Sequence, residues 1–270
     1  MATHALATTG TGGTGAAATT KIGSTLTMPA GGPHIIHHVW GQVASITTVP
    51  NEGTGGALIV SALTGDLDPD PAPGTYPLIG KQVSESANAA ISAVPLNLWA
   101  VNWNASGKAQ IDLSYLNALA ITTGSPVAAG IIFGDAIPTE RPLKFCDAVR
   151  SSFASASEQS IGTITLAEKA TRIVGILADL NKGDAPTAAE AILATIRLDS
   201  ADIKMPPAQY PCNRAFNASD GTAAGAASVA QSQFIPVDIP VTGGARIDCF
   251  ATTTASVTGN ADVQVFIAYE

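Results

Sequence analysis

Thr25-Leu-Thr-Met-Pro-Ala-Gly-Gly-Pro-His-Ile-Ile36 and Thr163-Ile-Thr-Leu-Ala-Glu-Lys-Ala-Thr-Arg-Ile-Val174 lie 138 residues apart and read as two copies of one stretch. Each opens by alternating polar and apolar residues, the period of a strand with one buried face. Working outward, further pairs keep the same order. Ala57-Leu-Ile-Val-Ser61 matches Ala191-Ile-Leu-Ala-Thr195, and Tyr76-Pro77 matches Tyr210-Pro211, both at offset 134. Val94-Pro-Leu-Asn-Leu98 faces Ile235-Pro-Val-Asp-Ile239 at offset 141. Gly107-Lys-Ala-Gln-Ile-Asp-Leu113 faces Gly243-Gly-Ala-Arg-Ile-Asp-Cys249 at offset 136, with Ile131 and Phe133 meeting Ile267 and Tyr269. An ordered set of this kind reads as a tandem duplication. Its unit exceeds the roughly 20–50 residues of a solenoid repeat, so each copy is a domain.

Within a copy the segments read as short strands between turns of Gly, Asn, Asp and Pro, as in Pro50-Asn-Glu-Gly-Thr-Gly-Gly56. The first copy offers strands near 24–29, 34–46, 57–64, 75–82, 94–102, 109–116, 118–123 and 127–134. Thr187 to Ile196 alone resembles a capped helix. Its partner Gly55-Gly-Ala-Leu-Ile-Val-Ser61 does not, so both are assigned as strands. The expected fold is all-β, two tandem eight-stranded antiparallel β-sandwiches. Residues 21–137 and 161–270 form the sandwiches. Residues 1–20, uncharged and rich in Thr, Ala and Gly, read as a flexible arm. Residues 138–160 read as a linker, where Phe145, Val149 and Phe153 recur every four residues like one face of a short helix.

Composition narrows the function. Of 270 residues, 46% are hydrophobic but only 13% are charged, about half the ~25% usual for soluble chains. The formal charge of −8 argues against gripping nucleic acid or an anionic membrane, both of which need clustered Lys and Arg. No apolar run reaches the ~20 residues of a membrane helix, and the first residues lack a signal peptide. Three widely spaced cysteines, Cys146, Cys212 and Cys249, suit apolar filling better than a disulfide framework or zinc.

Candidate chemistry is sparse. In a regular strand His34 and His38 share one face and His37 takes the other, a cluster that suits a transition metal, a pH-sensitive contact or, most simply, an ordinary strand rim. Asp66, Asp68 and Asp70 are spaced like calcium ligands, yet the glycine and glutamate of an EF-hand loop are missing; a solvated acidic turn is the simpler reading. Gly10-Thr-Gly-Gly-Thr-Gly15 lacks the strand and helix that a phosphate loop needs. No catalytic triad, HExxH or GxSxG pattern occurs, so no enzyme, cofactor or catalytic residue is expected. Trp40, Trp99 and Trp103, with His34 and His38, are the candidate interface residues.

Two similar eight-strand sandwiches in tandem resemble the double jelly-roll major capsid proteins of tailless icosahedral viruses with internal membranes. The resemblance spans residues 21–270 and rests on pattern and duplication. It implies a structural shell protein forming pseudo-hexagonal homotrimers that tile a virion. Its partners would be neighbouring trimers with minor capsid and vertex proteins. There would be no direct nucleic acid contact, and any membrane would lie beneath the shell. The short Ala/Ser/Gly segments 82–93 and 213–233 predict small towers or none. The alternative is a tandem β-sandwich binding module, such as a lectin, adhesin or surface-layer subunit, using Trp99 and Trp103 as sugar-stacking platforms.

Overall fold

The computed structural model describes residues 3–12, 18–47, 56–64, 74–78, 90–93, 97–117, 126–134, 142–151, 156–182, 191–206, 208–217, 234–253 and 261–270. Every regular element among them is a strand. The second copy is the simpler. Its strands are β11 (Lys144–Ser151), β12 (Gln159–Thr165), β13 (Arg172–Lys182), β14 (Ala191–Asp199), β15 (Gln209–Asn217), β16 (Ile235–Pro240), β17 (Arg246–Thr253) and β18 (Ala261–Tyr269). One sheet runs β11-β18-β13-β16 and the other β12-β17-β14-β15. Numbered within the copy, these orders are 1-8-3-6 and 2-7-4-5, all antiparallel. That is a jelly roll.

The first copy repeats it. Its strands are β1 (Thr3–Thr11), β2 (Thr19–Lys21) with β3 (Leu26–Thr27), β4 (His34–Thr47), β5 (Gly56–Thr64), β6 (Gly74–Leu78), β8 (Asn97–Ala105), β9 (Gln110–Asn117) and β10 (Pro126–Gly134). The split pair β2/β3 takes the second place. The 1-8-3-6 sheet is then β1-β10-β4-β8, and the 2-7-4-5 sheet is β2/β3-β9-β5-β6. An additional strand, β7 (Ala90–Ala93), pairs with the far end of β4. The chain is a double jelly roll.

The duplication reaches single hydrogen bonds. Thr25 Oγ1 donates to Asp112 Oδ1 at 2.7 Å, and Thr163 Oγ1 donates to Asp248 Oδ1 at 2.5 Å. Met28 N–H reaches Ala109 O at 2.9 Å; Leu166 N–H reaches Ala245 O at 3.0 Å. The following turn is repeated too, Lys108 N–H to Pro29 O and Gly244 N–H to Ala167 O, each at 3.2 Å. Lys108 sits there at φ 64° and Gly244 at φ 78°. A Cβ strains this left-handed conformation and glycine relieves it. Lys108→Gly should therefore stabilise the first roll by about 0.5–1 kcal/mol in urea denaturation, while Gly244→Ala destabilises the second by a similar amount.

Two expectations are corrected. Residues 1–20 are not an arm throughout, because Thr3–Thr11 is the first strand, paired along its length with β10. Ladder hydrogen bonds need no apolar pattern, so a strand of Thr, Ala and Gly gives little signal. Thr8 then ties it to the next segment, its hydroxyl donating to Ile22 O at 3.2 Å and accepting from Ser24 N–H at 2.9 Å. Residues 138–160 are not merely a linker, because Lys144–Ser151 is the first strand of the second roll. Residues four apart share a face in a strand as well as in a helix, so Phe145 and Val149 fitted either reading. The expected strand at 118–123 lies outside the described residues, and the first place in the first roll is taken by β1.

The register also shifts three alignments. Leu58 and Ile196 are the residues opposite Tyr76 and Tyr210, so Leu58 corresponds to Ile196; the Tyr-Pro match at offset 134 stands. Trp103 and Ile239 lie opposite Ile36 and Ile173, so β8 corresponds to β16 at offset 136, not 141. The same pairs align Ile36 with Ile173, one residue short of offset 138.

Each sandwich closes over its own apolar layer. Val39, Ile111, Leu113 and Ile131 sit at its centre in the first roll, and Ile176, Ile196, Ile247 and Ile267 in the second. Strand β18 is covered on both faces from Val263 to Tyr269, which accounts for its near-continuous apolar run.

Candidate interaction surfaces

The two rolls meet in an aromatic seam. Phe145, on the outer face of β11, is 2% exposed and packs edge-on against Trp99 (centroids 4.8 Å apart) and Tyr76 (6.1 Å). Tyr76 also meets Trp103 edge-on at 5.8 Å. The Trp99 indole N–H donates to Pro77 O at 2.8 Å, and Leu143 N–H reaches Ala100 O at 3.4 Å. Leu177, Phe266 and Ala268 continue the outer face of the second roll and join the buried cluster of the first. The seam thus sets a sheet face of one roll against the 5–6 edge of the other.

This places two of the candidate interface residues. Trp103 is 7% exposed and Trp99 half-buried, both within the seam of a single chain, so neither stands as an open platform for sugar. In register their counterparts in the second roll are Ile235 and Ile239.

The histidines separate. A β-bulge puts both His37 and His38 between Ile36 and Val39, opposite the single step from Phe133 to Ile131 through Ile132. The extra residue reverses the alternation. His34 therefore shares the inner side with Ile36 and meets the Phe133 ring edge-on at 5.4 Å, while His4 stacks on the same ring at 5.4 Å. His38 faces outward with Trp40. The expected common face of His34 and His38 is corrected, since a bulge leaves no mark in composition. The second roll has the same bulge, between Ile173 and Gly175. His37 is buried there, and burial, then the neighbouring His38, hold its imidazole below the usual value.

Asp66, Asp68 and Asp70 lie outside the described residues. Among the described residues no group of three or more His, Cys, Asp or Glu could hold a metal ion. Asp202, in the second roll, accepts from Arg246 N–H at 2.8 Å and so shapes a turn. Cys249 is wholly buried, and burial pushes its thiol up to about 12; burial raises Cys146 as well. Both behave as apolar filling.

The outer sheet faces differ in character. On the 2-7-4-5 face of the second roll, Arg197 forms a two-pronged pair with Glu158 (2.8 and 2.9 Å), bonds Asp199 (2.9 Å), and lies 4.2 Å over Phe250. By contrast, the 1-8-3-6 face of the first roll presents Ala5, Ala7, Trp40, Leu98, Ala128 and Ile132. Its described residues include no Lys, Arg, Asp or Glu, and Leu98 is 45% exposed. Sequence reasoning missed this face because it assigned β1, which supplies two of the six, to an arm.

No protein-family model matches the chain, and no curated protein matches it. Among solved structures it is similar to the STIV MCP crystal structure, with 10% identity and TM-score 0.38, covering 100% of this chain and 97% of that one. It is also similar to the atomic structure of Sulfolobus Turreted Icosahedral Virus, with 9% identity and TM-score 0.40, covering 99% and 90%. A third is PNGF-II, with 7% identity and TM-score 0.36, covering 90% and 59%. The fold assignment rests on the sheet orders themselves.

Proposed function

We propose that this chain is a structural shell subunit, a major capsid protein whose pseudo-hexagonal homotrimers tile an icosahedral virion. The observation that carries the reading is the asymmetry of the roll–roll contact. The outer 1-8-3-6 face of the second roll is covered by the first, through Phe145, Phe266 and Leu177. Among the described residues, the equivalent face of the first roll, where Ala5, Gly130 and Trp40 stand at those positions, has no second roll of its own chain upon it. Likewise the edge of the first roll at Tyr76, Trp99 and Trp103 is occupied by Phe145, whereas among the described residues no aromatic of the other roll packs on its counterpart at Tyr210 and Ile235. A face-to-edge contact is heterologous, and repeated from copy to copy with a rotation that closes it forms a ring. Three chains supply six similar rolls.

Charge distribution supports the reading. Residues 1–137 hold 3 of the 13 basic and 7 of the 21 acidic residues. A solvated exterior usually carries far more charge, so an uncharged sheet face favours cover by neighbours. The role is non-catalytic, its partners are other copies of the chain and minor shell proteins, and its place is the virion. No helix among the described residues is long and apolar enough to cross a membrane.

Size-exclusion chromatography with light scattering tests this. The wild type should elute at three times the monomer mass and give hexagonal sheets or particles by negative stain. Leu98→Asp, at an exposed position, should lower trimer affinity at least tenfold with the fold intact by circular dichroism. A wild type that stays monomeric at all concentrations and salts would overturn the reading.

A further inference from the structure

Beyond the aromatic seam, the outer face of the second roll carries a polar cluster that no packing requirement explains. Asp147 on β11, Gln264 on β18 and Asp179 on β13 lie on one face of three adjacent strands, with Gln264 directly opposite Asp179 and Asp147 directly opposite Phe266. Gln264 is 0% exposed and Asp179 2%, whereas Asp147 is half-buried and open to solvent protons. Gln264 Nε2 donates to Asp147 Oδ2 at 3.0 Å. That leaves Gln264 Oε1 buried with no hydrogen-bond partner.

An orphaned buried acceptor beside a carboxylate has a direct remedy. Amide oxygen and nitrogen exchange places by a half-turn of the terminal torsion. Turned over, Oε1 meets Asp147, and an ionised carboxylate would repel it. A protonated carboxyl would donate to it, and Nε2 would be freed for the side on which β13 holds Asp179. We propose that Asp147 takes up a proton in the folded protein and passes it as a hydrogen bond to Gln264 Oε1, making this cluster a proton-controlled latch beside the seam between the two rolls.

The surroundings favour the neutral acid. Burial raises the Asp147 carboxyl above its ordinary range, more than the Gln264 bond lowers it. Asp179 faces the cluster from β13. Lys144, also on β11, alternates to the other face. From the first roll, β6 packs against β11, and its one ionisable residue is Tyr76. The sign follows by linkage. A folded state that binds the proton more tightly than the unfolded chain gains stability at low pH and loses it as pH rises through the folded value.

Thermal unfolding of the full chain across pH 4–9 tests the latch. Asp147→Asn supplies a permanent donor to Oε1, so it should raise the melting temperature at pH 8–9, change it little at pH 4–5, and flatten the wild-type decline between them. An unchanged pH profile in this variant overturns the proposal. Should the variant not fold, infrared spectroscopy of the wild type decides. A protonated-carboxyl carbonyl band that persists above the ordinary titration range of aspartate and is retained in Asp179→Asn supports the latch; a band absent there, or lost in Asp179→Asn, overturns it. A monomeric wild type would defeat the shell reading without touching this result.

Discussion

Gly243→Ala should cost the second roll about 3 kcal/mol, the upper part of the range for overpacking, in urea denaturation followed by circular dichroism. A Cβ at residue 243 would lie 1.7 Å from Glu168 O and 2.4 Å from Glu168 C. Those are backbone atoms, which no rotamer change can move aside. Relief requires the turn to open, and opening it breaks Gly244 N–H to Ala167 O and loosens Leu166 N–H to Ala245 O. The first roll repeats the arrangement, with a Cβ at Gly107 falling 2.1 Å from Gly31 O. Gly107→Ala should therefore be damaging as well. A loss under about 1 kcal/mol in both variants would mean that the close approach is not a constraint on the fold.

That pair of glycines also shows why the fold could be read from the chain and the surfaces could not. The block from Gly107 to Leu113 and its partner from Gly243 to Cys249 preserve side chains that a shared turn and strand demand, and the structure returns them as matching hydrogen bonds. Strands β14 and β5 follow the same logic, since equivalent segments share a conformation whatever their local propensity. Legibility fails where backbone pairing replaces side-chain patterning. Strand β1 is held by its ladder with β10 and a threonine clamp, so its composition resembles that of an unstructured tail. Trp99 and Trp103 stood out in the sequence as candidate interface residues. Their role depends on Phe145, which a four-residue spacing hid in a supposed helix. The bulge at His37 inverts which histidines share a face, and alternation alone carries no sign of it. The Asp147–Gln264 contact joins residues 117 positions apart, beyond the reach of any local motif.

Phe145→Ala should be as damaging as a core deletion, at about 3–4 kcal/mol, although its side chain lies outside either sandwich interior. The ring is 2% exposed and contacts Trp99 and Tyr76 edge-on. Such aromatic pairs contribute roughly 0.5–1.5 kcal/mol beyond the area they bury. The position is also strategic, because Leu177, Phe266 and Ala268 share one buried cluster with the first roll and bind the two sandwiches into a single cooperative unit. Truncating the ring leaves a void between rolls rather than within one. Calorimetry should then resolve two transitions where the wild type has one, and Trp99 fluorescence should shift red before the far-ultraviolet signal is lost. Ala5→Phe, at the equivalent position of the first roll, offers the converse: it adds an apolar group to an exposed site and should change monomer stability by less than about 0.5 kcal/mol. If Phe145→Ala unfolds in one transition with under about 1 kcal/mol lost, the seam does not couple the rolls, and the face-to-edge contact loses its standing as the template for assembly.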